Sequence, residues 1–301
     1  MNLQPNRPAG WIHHSYREVL YPLNQILAYP VAGYPDLELH LIYSADGLYI
    51  PALVRKPIGT GPYPVVVVLH GGSGGLGLGY LTMMHARNGV MLDRLHAEGY
   101  MVVVTEGRME YEEAYGQPME MRLDHQDIIS VFRYLQQNAT VDPERIGFVG
   151  VSHGGELQMK VISELGRGPA ALVPMEPAVI EFLGLRYTGV RKESNLQFNA
   201  PLRDDQIDMA LAQERIDPID PNLPILIVGR DDDHLQGLFA KLYELLQQAG
   251  KRVDWISFDH PDHSYHWDQI LGDDPQRDDP LRATVEHVVA FINQHVRGSE
   301  R

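Results

Sequence analysis

Residues 141–156 read VDPERIGFVGVSHGGE. An apolar run, Ile146 to Val149, passes into Gly150-Val151-Ser152-His153-Gly154, and helical spacing follows to about Leu165. Gly-x-Ser-x-Gly fixes only three positions and is weak alone; its meaning comes from the sequence strand, sharp turn, helix. Such a turn holds the serine in a strained backbone geometry, and side chains at 150 and 154 would collide with neighbouring elements. A helix starting at His153 aims its first N–H groups at the serine and stabilises negative charge there. Ser152 is therefore the candidate nucleophile.

Outward from this stretch the chain alternates strand and helix. The runs VVVVL (65–69), MVVV (101–104), IGFVG (146–150) and AALVP (170–174) are nearly continuous hydrophobes, as expected of strands covered on both faces. ILIVG (225–229) and VDWISF (253–258) continue the series. Helical spacing fills the intervals: Met91–Glu98 closed by Gly99, Leu123–Gln137, and Leu235–Ala249 ended by Gly250. A last helix is expected to start at Asp279-Pro280, with Leu281, Val285, Val288, Val289, Ile292 and Val296 on its apolar face. Residues 37–57 alternate in period two about Asp46-Gly47, a hairpin signal. Residues 1–36 read as an irregular arm on the surface or on a partner subunit, and 176–221 as a helical lid insertion. The expectation is one α/β domain over 37–297, a mostly parallel sheet with an N-terminal antiparallel hairpin and helices on both faces.

A serine hydroxyl needs a base, and the base needs an orienting carboxylate. With a nucleophile elbow the chain order should be serine, acid, histidine. After ILIVG comes RDDDH, with Asp231, Asp232 and Asp233; after VDWISF comes DHPDHSYHW, with His260, His263 and His266. All lie after strands, where open α/β sheets place their sites. Only one of three successive aspartates can face the site. His263 sits deepest in its loop, which leaves His260 and His266 to hydrogen bonding or the surface.

The first buried strand runs into LHGGSGG (69–75). Glycines let backbone N–H groups approach a developing oxyanion. The expected donors are the amides of Gly72 and His153. As a rival, His260, His263, His266, Asp231–Asp233 and His234 form a metal-ligating set, but they lie in a Pro-containing loop, and this leaves the serine turn unexplained. A phosphate-binding loop fails because no lysine follows the glycines.

Composition excludes more. The 301 residues carry 25 Lys plus Arg against 40 Asp plus Glu, a net charge of −15 without basic clusters, which disfavours nucleic acid. Zero cysteines exclude disulfides and thiolate catalysis. No apolar h-region opens the chain and no run approaches a membrane span, so a cytoplasmic address without membrane contact is expected.

With LHGGSGG, VDPERIGFVGVSHGGE, ILIVGRDDDHL (225–235) and FDHPDHSYHW (258–267) together, the chain resembles serine hydrolases of the α/β-hydrolase fold. It is similar to the prolyl oligopeptidase catalytic domain and to the dienelactone hydrolase and acetyl xylan esterase branch. The resemblance implies the acid three residues after the glycine closing its strand, Asp232, and a histidine before a small residue and an aromatic, His263. It also implies no cofactor. The chain departs from that pattern in having Ser152 where dienelactone hydrolases have cysteine, His70 where some oligopeptidases have an oxyanion tyrosine, and Glu106-Gly107-Arg108 for a D-x-R-G motif. His70 then either donates to the oxyanion or shapes its loop, and Arg108 is structural or binds substrate. Glu176 either meets a cationic substrate group or is a solvated or capping residue. The expected activity is hydrolysis of a small carboxylic ester. Cleavage of short peptides as an exopeptidase is the alternative, and a silent binding protein or a metal-dependent hydrolase comes behind both. A homo-oligomer is compatible with the arm.

Overall fold

The computed structural model describes residues 27–31, 33–44, 49–72, 78–86, 89–107, 124–185 and 198–297. Among the described residues nine strands form one sheet in the order β1-β2-β3-β5-β4-β6-β7-β8-β9. β2 (Tyr34–Tyr43) and β3 (Tyr49–Arg55) are the expected antiparallel hairpin, in register from Leu37 opposite Arg55 to Tyr43 opposite Tyr49. Its turn, Asp46-Gly47, lies outside the described residues. β4 (Tyr63–Leu69), β5 (Met101–Thr105), β6 (Val141–Val151), β7 (Ala171–Met175), β8 (Ile225–Arg230) and β9 (Val253–Phe258) run parallel.

Burial on both faces explains the unbroken apolar runs. Along β4, Val65, Val67 and Leu69 enter one core, and Val66 and Val68 enter the other. The first core is covered by α3 (Asp124–Gln137), α4 (His153–Leu165), α5 (Met209–Ile216) and α6 (Gln236–Gln248). The second is covered by α1 (Leu78–Ala86), α2 (Val90–Ala97) and α7 (Pro275–Ile292). β5 lies on one side of β4 and β6 on the other, so the chain reverses direction across the sheet there. The crevice at the strands' carboxyl ends is the expected place for a site.

Three expectations change. The sheet begins at β1 (Leu27–Val31), inside the stretch read as an irregular arm. Pro30 and the turn at Gly33 (φ +83°) break the period, and an edge strand tolerates the proline. Residues 1–26 lie outside the described residues. The last helix starts at Pro275, where Asp274 accepts a hydrogen bond from the Gln276 amide, and Pro280 falls inside it. Its expected apolar face is buried throughout. The segment 176–221 contributes Val179, Phe182, Leu183, Ile207, Ala212 and Ile216 to the first core, so its described part is a wall of the domain. No helix among the described residues is long and apolar enough to cross a membrane.

Candidate active site

Ser152 stands at the end of β6 with φ 53° and ψ −117°, immediately before α4. The two glycines of the motif have the reason expected of them. A Cβ on Gly150 would lie 2.6 Å from the Gly154 carbonyl oxygen, and one on Gly154 would lie 2.7 Å from the His70 carbonyl oxygen. The turn is clamped as well: the Ser152 amide donates to Met175 O at 2.9 Å, and Ser152 O accepts from the amides of Glu156 and Ala178. Gly71, at the end of β4, is so close that a Cβ there would sit 3.1 Å from Ser152 Cβ. The loop after β4 therefore reaches Ser152. Gly72 follows with φ +78°, on the exposed side.

His153 directs its imidazole away from a catalytic role. Its Nε2 lies 3.3 Å from Oδ2 of buried Asp124, whose Oδ1 accepts from Lys160 Nζ at 2.5 Å. Lys160 also meets Glu181 at 3.0 Å. Burial pushes the Asp124 carboxyl up, but hydrogen bonds from His125 and His153 and the Lys160 charge hold it well below its usual range. His70 is buried, with Nδ1 donating to Gly71 O at 2.8 Å and its ring edge-on to Tyr80, so its contacts shape the loop. Arg108 lies outside the described residues.

The aspartate beside His263 is Asp233, not the expected Asp232. Asp232 is exposed, with φ 56°. That left-handed residue turns the chain so that Asp233 points inward, fully buried, with Oδ2 2.9 Å from His263 Nδ1. Asp233 is held by Arg230 Nε on Oδ2 at 3.0 Å and by the Leu235 amide on Oδ1 at 2.7 Å. A second carboxylate, Glu176 at the end of β7, places Oε2 2.9 Å from the same Nδ1. The nearby Ser264 amide donates to that oxygen at 2.7 Å. Burial lowers the affinity of His263 for its proton, but the hydrogen bonds it donates to Asp233 and Glu176 outweigh it, and the imidazole is pushed up to about 9. Both carboxyls are lowered: burial pushes each up, and for Glu176 the His266 charge and the His263 hydrogen bond prevail, for Asp233 the His263 hydrogen bond.

The other two histidines are buried. His260 stacks on Tyr265 at 3.9 Å and accepts from the Asp262 amide, while His266 Nε2 lies 3.4 Å from Glu176 Oε1. The full metal set read from the sequence is therefore not brought together. Asp233, His234 and His263 do come close enough to hold an ion. However, both Asp233 oxygens already accept from Arg230 and Leu235, and the guanidinium repels a cation.

The non-glycine residues with left-handed φ among the described residues are Ser152, Glu176, Asp232 and Ser264, one after each of β6, β7, β8 and β9. Backbone strain thus gathers at the carboxyl edge of the sheet, as at functional sites generally. Gly71, Val151 and Ser264, chain neighbours of Ser152 or His263 or packed against them, line one cavity of about 150 Å³ together with Tyr80, Met83, Met84, Trp267 and Asp268.

The sequence pattern of a family described as alpha/beta hydrolase fold matches residues 66–267. Among curated proteins, the chain is 28% identical over 138 residues to the uncharacterized peptidase YtmA of Bacillus subtilis (strain 168). That match covers 44% of this chain and 48% of YtmA, so the chain spans about half the length of the curated relative it matches. Among solved structures, an esterase of Pyrobaculum calidifontis superposes with a TM-score of 0.60 at 20% identity, covering 91% of this chain and 87% of that one. Carboxyl esterase 2 of the fungus Tuber melanosporum gives 0.59 at 18% identity, covering 90% and 87%. A Rhizomucor miehei esterase gives 0.61 at 19% identity, covering 92% and 86%. These likenesses carry the fold, and the pattern match carries the kinship: the chain belongs to the α/β-hydrolase family.

Proposed function

We propose that the protein is a serine hydrolase of small carboxylic esters, acting through an acyl-enzyme on Ser152. The observation that carries this reading is the placement of a strained serine, a histidine and a buried carboxylate after β6, β9 and β8, all at one edge of the sheet. The carboxylates occupy Nδ1 of His263, which leaves Nε2 as the base. Nε2 takes the Ser152 proton as Oγ bonds to the ester carbonyl carbon. The oxyanion accepts from the His153 amide, at the start of α4, and from the loop amide of Gly72. Collapse breaks the ester C–O bond, and the alcohol leaves with the proton from Nε2. Water then gives a proton to Nε2 as it bonds to the acyl carbon; the acyl C–Oγ bond breaks, Oγ takes the proton back from Nε2, and the acid and Ser152 are released. In place of Asp232, the role of orienting acid goes to Asp233.

The cavity beside Ser152, about 150 Å³ and lined by Tyr80, Met83, Met84 and Trp267 together with Asp268, suits a short acyl group. The esterase names of the structural neighbours support the same reading. The partial kinship with YtmA favours peptide cleavage as a second reading. A panel of p-nitrophenyl acetate, butyrate and octanoate beside aminoacyl-p-nitroanilides separates them. Turnover of acetate and butyrate above octanoate, lost in Ser152→Ala, is expected; turnover of the anilides alone would assign a peptidase.

A further inference from the structure

The geometry points to Glu176 as a second orienting acid: a positioning residue that shares the Nδ1 proton of His263 with Asp233, so that the imidazole is held by carboxylates from two successive strands. This rests on the proposed catalytic role of Ser152 and His263. Glu176 Oε2 and Asp233 Oδ2 each lie 2.9 Å from Nδ1. Both carboxylates are fully buried, and both are fixed in position. The Glu176 amide donates to Val228 O at 2.7 Å, and φ 41° turns its side chain back over the sheet edge. A left-handed glutamate between a buried strand and Pro177 is a strained placement, and the contact it makes is with the imidazole.

The two acids are not equivalent. Asp233 Oδ2 also accepts from Arg230 Nε, so its negative charge is partly answered before His263 is considered. Among the described residues Glu176 Oε2 receives the neutral Ser264 amide and His263, while Oε1 faces His266 Nε2 at 3.4 Å. The groups facing His263 are thus Glu176 from β7, Asp233 and His234 from the loop after β8, with Arg230 behind Asp233 and His266 behind Glu176. Counting Glu176, Asp233, Arg230 and His263, the cluster is neutral when the imidazole is protonated and carries one negative charge when it is not. Glu176 therefore favours the imidazolium that forms during acyl transfer, and raises the pH at which the resting base becomes free.

The test is the pH dependence of kcat/KM for p-nitrophenyl acetate in wild type, Glu176→Gln, Asp233→Asn and the double variant, with Ser152→Ala and His263→Ala as references. Glu176→Gln should move the rising limb down by about one to two pH units with KM unchanged, because an opposite charge at this distance shifts a titration by that much. Asp233→Asn should stay at least about tenfold above His263→Ala, since one orienting acid remains, and the double variant should fall to that reference. The Asp233→Asn arm decides the matter even where Glu176→Gln does not fold. A wild-type midpoint in Glu176→Gln, or Asp233→Asn no better than His263→Ala, overturns the assignment. Full activity in Ser152→Ala and His263→Ala would overturn the serine-hydrolase reading itself, and the shared acid with it.

Discussion

Asp233 and His263 meet across the loops that follow β8 and β9, Oδ2 to Nδ1 at 2.9 Å, while Asp232 one residue earlier faces solvent. The pair distinguishes two adjacent aspartates by experiment. Asp232→Asn should leave kcat within about twofold of wild type, because asparagine tolerates the left-handed backbone at that position. Asp233→Asn should lower kcat by at least about tenfold. Steady-state kinetics on p-nitrophenyl acetate checks both, and the opposite order would return the acid to Asp232.

The raised affinity of His263 for a proton sets opposite trends in activity and stability. The base must be neutral to accept from Ser152, so kcat/KM should climb through neutral pH and reach half its plateau near the value of about 9. The folded imidazole binds its proton more tightly than the ordinary value of 6.5, so this pairing stabilises fully below 6.5 and is lost as pH rises through about 9. Melting temperatures of wild type should therefore fall over that interval relative to His263→Asn. Parallel curves would contradict the ion-paired state.

The elbow glycines are held by packing. Gly154→Ala places a Cβ against the Leu69 and His70 carbonyl oxygens, which are backbone and cannot swing away. It should cost about 1–3 kcal/mol or more and abolish turnover. Gly250→Ala meets nothing within 4 Å but has φ +67°, so it should cost about 1–2 kcal/mol and leave kcat unchanged. Urea unfolding with kinetics on the same samples separates the two.

Beneath the elbow, Lys160 and Asp124 form a buried pair beside His153. Lys160→Met strands the Asp124 carboxylate and should destabilise the fold by about 3 kcal/mol or more. Lys160→Met with Asp124→Asn should recover part of that loss, because the uncompensated charge is gone. Urea midpoints decide it; a double variant worse than the sum of the singles would contradict the pairing.

Much of this was legible in the residues, for reasons that differ by element. β4 to β8 announce themselves through the apolar runs of strands buried on both faces, whereas β9, at the sheet edge, carries the exposed Asp254 and shows only partial burial. Ser152 announces itself because its glycines are demanded by contacts under 3 Å. β1 was hidden because Pro30 and Gly33 interrupt its period at a tolerant edge. The inward aspartate could not be chosen from RDDDH, since the choice depends on the left-handed turn at Asp232. In the sequence Glu176 is an isolated charge with no partner in view. A lone glutamate after a strand is ordinary, and only the return of the β9 loop brings His263 and His266 onto it. Its one available signal was position: a charge directly after a buried strand and before proline, where solvent is not expected.

The central claim is that Ser152 carries the acyl group. A fluorophosphonate probe followed by peptide mass spectrometry tests it most directly. A single adduct on the peptide containing Ser152, absent from Ser152→Ala, is the predicted result. Equal labelling of Ser152→Ala, or ester hydrolysis by wild type with Ser152 unlabelled, would contradict it.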